Sequence, residues 1–164
     1  KLDILIIMNG FGKSGKITEI PLEEIESMVQ ANLLVPYYFL HYFTRIFLEN
    51  NDGRVVLLGS VAGIKYSPNY AMYSATKFAV IGLTQTVAKE LNDDNSAVLC
   101  INVSPGGTDT DMRKELLGEE ASKSQNPEIV ARIVSDILTE KIAVENGMNV
   151  QIVRGEISAK VSMQ

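Results

Sequence analysis

The sequence predicts an α/β protein with an open, mostly parallel sheet. Residues 2–8 form a near-continuous apolar run, as expected of a parallel strand buried on both faces. Further strand-like runs fall at 55–58, 97–103 and 149–153, and helical patterns with start and stop signals separate them. The resulting order is strand, helix, helix, strand, helix, strand, helix, strand, which is the alternation of a sheet layered with helices.

Each element has a local reason. Asn9-Gly10-Phe11-Gly12 turns out of the first strand. Pro21, with Glu23 and Glu24, opens a helix, because proline and acids suit a first turn. A second, long helix is expected over 28–49, carrying Tyr37, Tyr38, Phe39, Tyr42, Phe43 and Phe47. Aromatics on all its sides imply burial on all sides, so one side needs a partner other than the sheet. Pro36 within it has no N–H, so the Asn32 carbonyl loses its helical donor; a kink there would free that carbonyl to hold a water. Asn50-Asn51-Asp52-Gly53 is a strong turn leading into the strand that ends at Ser60. Ser67-Pro68 has the residues of a helix start, and that helix should run to 91 and stop at Asn92-Asp93-Asp94-Asn95. The strand at 97–103 exits through Ser104-Pro105-Gly106-Gly107-Thr108-Asp109-Thr110, where two glycines let a ligand approach backbone. Residues 111–124 are short and polar. Asn126-Pro127-Glu128 begins another helix, expected to end near 140. The stretch after 153 carries no readable signal.

Composition bounds the function. With 164 residues the chain is one domain with a sizeable core. Its 46% hydrophobic and 21% charged content is that of a folded sequence. A net charge of −5 without a basic cluster argues against nucleic acid and anionic membranes as partners. The single Cys100 excludes an internal disulfide and a cysteine-rich metal site, and the single His41 has no histidine partner, so no metal is expected. The most apolar run, 33–43, has the length of a core helix rather than a membrane span. Residues 1–8 loosely mimic a signal start, but Asp3 interrupts them and Gly10 and Gly12 end them early. A chain beginning on Lys1 reads as a piece of a longer protein, and a cytoplasmic location is expected.

The chemistry concentrates between Gly59 and Lys77. Tyr73 and Lys77 lie four residues apart, on one face of a helix. A phenol with a pKa near ~10 is a poor acid or base at neutral pH, and an ammonium one turn away favours the phenolate. A phenol tuned in this way can exchange a proton with an oxygen. Ser60, at a strand end, could give the same oxygen a second hydrogen bond. In a chain with six tyrosines the Tyr/Lys spacing alone is a common coincidence; the strand, the serine and the helix start around it give it weight. Gly59-Ser60-Val61-Ala62-Gly63 is not a hydrolase nucleophile elbow, which needs glycines two before and two after the serine. It is not a phosphate loop either, since no Gly-Lys-Ser/Thr follows.

This set resembles the short-chain dehydrogenase/reductase family, whose serine, tyrosine and lysine match Ser60, Tyr73 and Lys77. Pro105, Gly106, Thr108 and Thr110 match the family's Pro-Gly motif position by position, and the resemblance makes them contacts for the nicotinamide carboxamide. The family's Asn-Asn-Ala-Gly motif falls on Ile7, Met8, Asn9 and Gly10, where only the glycine aligns; cofactor contacts at Met8, Asn9 and Gly10 are then implied through backbone. Asn32, 28 residues before Ser60, stands where the family anchors a relay water leading to the lysine. The resemblance implies the later strands and helices of a doubly wound, Rossmann-type sheet. The first βαβ unit, with its glycine-rich phosphate turn, has no fingerprint here, so NAD and NADP cannot be told apart. The implied activity is hydride transfer between nicotinamide and a carbonyl or alcohol substrate. In that activity Tyr73 passes the proton, Lys77 tunes it and holds the nicotinamide ribose, Ser60 holds the substrate oxygen, and Asn32 anchors the water. A homodimer or homotetramer through the two long helices is implied as well. An inactive scaffold of the same fold competes with this reading, as does a dehydratase or epimerase relative.

Overall fold

The computed structural model describes residues 2–117 and 124–162. Five strands form one sheet in the order β1-β2-β3-β4-β5. They are β1 (Ile4–Ile7), β2 (Arg54–Leu58), β3 (Leu99–Pro105), β4 (Asn149–Val153) and β5 (Glu156–Val161). The first four run parallel and β5 returns antiparallel beside β4. The helices are α1 (Leu22–Val29), α2 (Val35–Asn50), α3 (Ala71–Asp93), α4 (Asp111–Leu117) and α5 (Pro127–Leu138). The expected α/β architecture with a mostly parallel sheet is the one found.

Period-two alternation divides the strands between two cores. Val55, Leu57 and Cys100 pack with Leu40, Phe47, Val80, Ala88 and Leu91 of α2 and α3. Val56, Ile101 and Val103 pack on the other face with Val130, Ile133, Val134 and Ile137 of α5. Helices therefore cover both faces, as in a doubly wound fold. The stripe Lys77, Val80, Thr84, Ala88 and Leu91 is the buried side of α3. Asn126 caps α5, its Oδ1 accepting from the Glu128 N–H at 2.9 Å, with Pro127 in the first turn as expected.

Four local expectations are corrected. The helices expected from Pro21 and from Met28 are one continuous helical path, with a π-helical segment, Gln30–Leu34, joining α1 to α2. Pro36 lies just beyond it. A proline ring crowds the carbonyl four residues back, and widening the helix there relieves that crowding. Helix α3 begins at Ala71 rather than Pro68. Asn69 is left-handed (φ 69°) and its carbonyl accepts from the Gly15 N–H at 2.8 Å, so Ser67-Pro68 belong to a turn before the helix. The stretch after 153 contains β5. Arg154 and Gly155 both take positive φ and make a tight hairpin, and the strand's mixed polarity suits an edge. Within the polar stretch expected at 111–124, α4 forms, and residues 118–123 lie outside those described.

The turn after α2 shows why its residues are fixed. Asn51 is left-handed (φ 47°) and Gly53 has φ 152°. A Cβ at Gly53 would lie 2.1 Å from the buried Phe47 ring, so only glycine passes there.

Candidate active site

The carboxyl ends of β1, β2 and β3 open into one cleft of about 710 Å³. Ser60 and Gly59 reach it from the end of β2, Tyr73 and Lys77 from the first turns of α3, and Pro105 and Gly106 from the end of β3. Met8, Gly10, Thr108 and Thr110 line it as well. This is where ligands bind in open α/β sheets.

Ser60 is the cap of a short 3-10 turn, Val61–Gly63, its Oγ accepting from the Ala62 N–H at 3.1 Å. That turn lies directly on α3: a Cβ at Gly63 would come 2.6 Å from the Lys77 carbonyl group. The close approach brings the Ser60 hydroxyl near enough to the Tyr73 phenol to favour its ionised form. Lys77 is 4% exposed; its Nζ donates to the Leu58 carbonyl at 2.9 Å and stands 5.8 Å from the centre of the Tyr73 ring.

Burial sets both proton affinities. It pushes the Tyr73 phenol above its ordinary value, and neither the Ser60 hydrogen bond nor the charge of Arg113 outweighs it; Tyr70 adds to the rise. Burial also brings the Lys77 ammonium down to about 8. The expectation that Lys77 makes Tyr73 more acidic is therefore corrected for this chain. The ammonium is held by the Leu58 carbonyl, and desolvation of the phenol dominates.

Asn32 is fully buried in the π-helical segment. Its Oδ1 accepts from the Phe11 N–H at 2.7 Å, and its Nδ2 donates to the Phe11 carbonyl at 2.8 Å and to Thr76 Oγ1 at 3.0 Å. The side chain thus ties the loop after β1 to α3. A Cβ at Gly10 would meet Asn32 Oδ1 and Lys77 Nζ, each at 3.5 Å, so the three come together. Neither Asn32 nor Asn9 lines the cleft; Asn9 Nδ2 donates to the Ala31 carbonyl instead. Thr108 Oγ1 donates to the Gly106 carbonyl at 3.0 Å and accepts from Gln125 Nε2 at 3.2 Å. Thr110 Oγ1 accepts from the Arg113 N–H at 3.4 Å, at the start of α4.

Sequence reasoning missed Arg113, Met112, Leu116 and Lys65 in the cleft wall, and Gln125 beneath it. Gln125 clamps Thr108 to the Ile152 carbonyl and accepts from the Gly155 N–H at 2.8 Å. No spacing signals these residues; the fold alone brings them to the strand ends. Among the described residues no helix is long and apolar enough to cross a membrane, and no His/Cys/Asp/Glu group could hold a metal.

A mostly parallel sheet with helices on both faces, and Ser60, Tyr73 and Lys77 gathered at its carboxyl end, defines a Rossmann-type α/β protein. Residues 1–121 match the family model described as short chain dehydrogenase, and the chain belongs to that family. It is 30% identical over 149 residues to a 3-oxoacyl-[acyl-carrier-protein] reductase of Synechocystis sp., covering 87% of this chain and 60% of that protein. It is 39% identical over 92 residues to the 2-dehydro-3-deoxy-L-rhamnonate dehydrogenase (NAD(+)) of Sphingomonas sp., covering 56% of this chain and 37% of that protein. Among solved structures it is similar to ElxO with NADP bound, with a TM-score of 0.83 and 26% identity, over 94% of this chain and 67% of that one. The chain thus spans 60% or less of the length of these two curated relatives.

Proposed function

We propose that the protein is an NAD(P)-dependent oxidoreductase acting on a carbonyl or alcohol. The observation that carries this reading is the single cleft holding Ser60, Tyr73 and Lys77 beside Gly10, Pro105 and Gly106. The residues fit the nicotinamide end of such a cofactor. At Gly106 a Cβ would meet nothing nearer than 3.5 Å, which leaves room against the backbone, and the Lys77 donor is close by. When bound, NAD or NADP supplies or accepts the hydride; the names of similar proteins include both cofactors.

The chain's own part is proton handling and positioning. A phenol kept neutral by burial is a proton donor, so Tyr73 protonates the oxygen as a carbonyl is reduced. The Ser60 hydroxyl, in the same cleft as that phenol, holds the same oxygen. Lys77 is mostly protonated at pH 7 and is offered to the cofactor ribose. Met8, Asn9 and Gly10, by backbone, and Thr108 and Thr110 complete the cofactor contacts. Asn32 bonds Thr76, the residue before Lys77, and its main-chain carbonyl in the π-helical segment anchors the relay water. Tyr73→Phe in the intact protein should cut carbonyl reduction by about 10²–10⁴-fold while leaving cofactor affinity near normal. Steady-state rates with NADH and NADPH on a carbonyl panel test this, and unchanged turnover overturns the assignment.

A homodimer or homotetramer through α2 and α3 belongs to the same proposal, as does a cytoplasmic location, which fractionation would test. Tyr37, Tyr38, Phe39 and Tyr42 (67% exposed) crowd the outer side of α2, and Phe78 of α3 is also exposed. An apolar patch of this kind marks a contact surface. Sedimentation of the intact protein should show an assembly, and a clean monomer at micromolar concentration would refute it.

A further inference from the structure

Arg113, in the first turn of α4, lines the same cleft as Ser60 and Tyr73. Its Nε donates to Ser124 Oγ at 2.5 Å. Its guanidinium occupies the space that Gly107 leaves open: a Cβ there would come 2.4 Å from Nη2, 2.5 Å from Cζ and 2.8 Å from Nε. Glycine at 107 and arginine at 113 are therefore a matched pair, one clearing the berth that the other fills. Ser124 steadies the fork through Nε, and among the described residues no hydrogen-bond acceptor takes the Nη donors.

Among the described residues the charge of that fork has no carboxylate partner. Asp109 and Asp111, close to it in sequence, are paired with Lys114 at 3.2 and 4.0 Å. A guanidinium stays charged at any working pH, and its planar fork matches a carboxylate with two parallel hydrogen bonds. Arg113 is also near enough to Tyr73 to pull its phenol downward against burial. A guanidinium in the same cleft as the proton donor, held from behind and seated against a glycine, has the form of a binding group.

We infer that Arg113 is a specificity-determining residue that binds a carboxylate on the substrate, so that the substrate is an oxo acid or the matching hydroxy acid. This rests on the oxidoreductase reading above. The other anion that could meet the fork is a phosphate of the cofactor, and the test separates the two.

The intact protein is assayed with NADH and NADPH on three matched pairs: pyruvate, 3-oxobutanoate and 4-oxopentanoate, each against its methyl ester. At least one acid should exceed its ester in kcat/KM by roughly 10-fold or more, the worth of a charge-assisted hydrogen bond. Arg113→Met should erase that preference, mainly through KM, with rates on the esters falling far less. Arg113→Lys should retain part of it. A second arm needs no turnover: each acid and ester is titrated by calorimetry into protein saturated with NAD+ or NADP+, where no reaction can occur. Acid binding lost in Arg113→Met supports the site. Equal losses on acids and esters, weaker cofactor binding in place of weaker acid binding, or no acid binding by the parent protein overturns it. Arg113-dependent acid binding without turnover on any carbonyl would sink the oxidoreductase reading and leave the anion site standing.

Discussion

The two ends of the cleft are built to different standards. At the β2–β3 end the backbone is buried and tightly packed. Gly59 lies over the buried pair Asn102 and Ser104, whose hydroxyl reaches Asn102 Oδ1 at 2.9 Å and Asn149 Oδ1 at 2.8 Å. At the β1 end, Met8, Asn9 and Gly10 are exposed, and among the described residues β1 has a neighbour on one side only. Ile6 pairs in register with Val56, yet Val56 is covered by α5 while Ile6 is 40% exposed. Helix α5 does not extend over β1. The proposed proton chemistry thus falls at the tightly packed end of the cleft, whereas the loop after Met8, Asn9 and Gly10 is tied down by the clamp of Asn32 on Phe11. An uncovered apolar strand edge of this kind invites association, so the β1 border is where this chain by itself should be stickiest.

Matched glycine substitutions put that contrast to the test. In Gly59→Ala the new Cβ would lie 2.4 Å from Asn102 Oδ1 and 2.8 Å from Ser104 Oγ, inside a buried polar group with no room to yield. We expect a loss of about 2–4 kcal/mol in urea unfolding, from overpacking and broken hydrogen bonds. Equal stability of Gly59→Ala and the parent would mean that the β2–β3 end is not the rigid one. The smallest effect is expected from the corresponding change at the loose end. Gly10→Ala would meet only ordinary contacts at 3.5 Å, and it should stay within about 0.5 kcal/mol of the parent.

Between these extremes lies Lys77, a charge buried at the rigid end. Its folded value of about 8 is below the unfolded value near ~10.4, so the unfolded chain binds more protons between those limits. The penalty is full below pH 8 and fades as pH rises toward ~10.4. Lys77→Met should therefore stabilise the fold at pH 7 by about 1 kcal/mol: roughly 3 from the relieved charge, less roughly 2 for the hydrogen bond lost at the Leu58 carbonyl. By pH 10 the charge penalty has nearly gone, so the lost hydrogen bond should outweigh it and the variant should become the less stable one; turnover should be lost. Thermal melts at both pH values check the sign. A variant less stable at pH 7 than at pH 10, relative to the parent, would contradict it.

The sequence by itself determined the elements whose signals are local. Continuous apolar runs specify strands, Asn126-Pro127-Glu128 specifies a capped helix, and the i, i+4 spacing puts Tyr73 and Lys77 on one face of α3. Those signals survive because backbone hydrogen bonding and period-two or 3.6-residue alternation depend on neighbours in the chain. Tertiary structure decided the rest. The helix at Ser67-Pro68 yielded to a turn because the Asn69 carbonyl is engaged by Gly15, more than fifty residues earlier. Strand β5 exists because β4 offers an edge to a segment with no apolar run of its own. Arg113 reaches the cleft because Gly107 leaves it a berth. The proton affinity of Tyr73 moved opposite to expectation for the same reason. Spacing along a helix says which charge stands near a phenol, but desolvation is set by everything packed around it, and that is assembled only when distant parts of the chain meet.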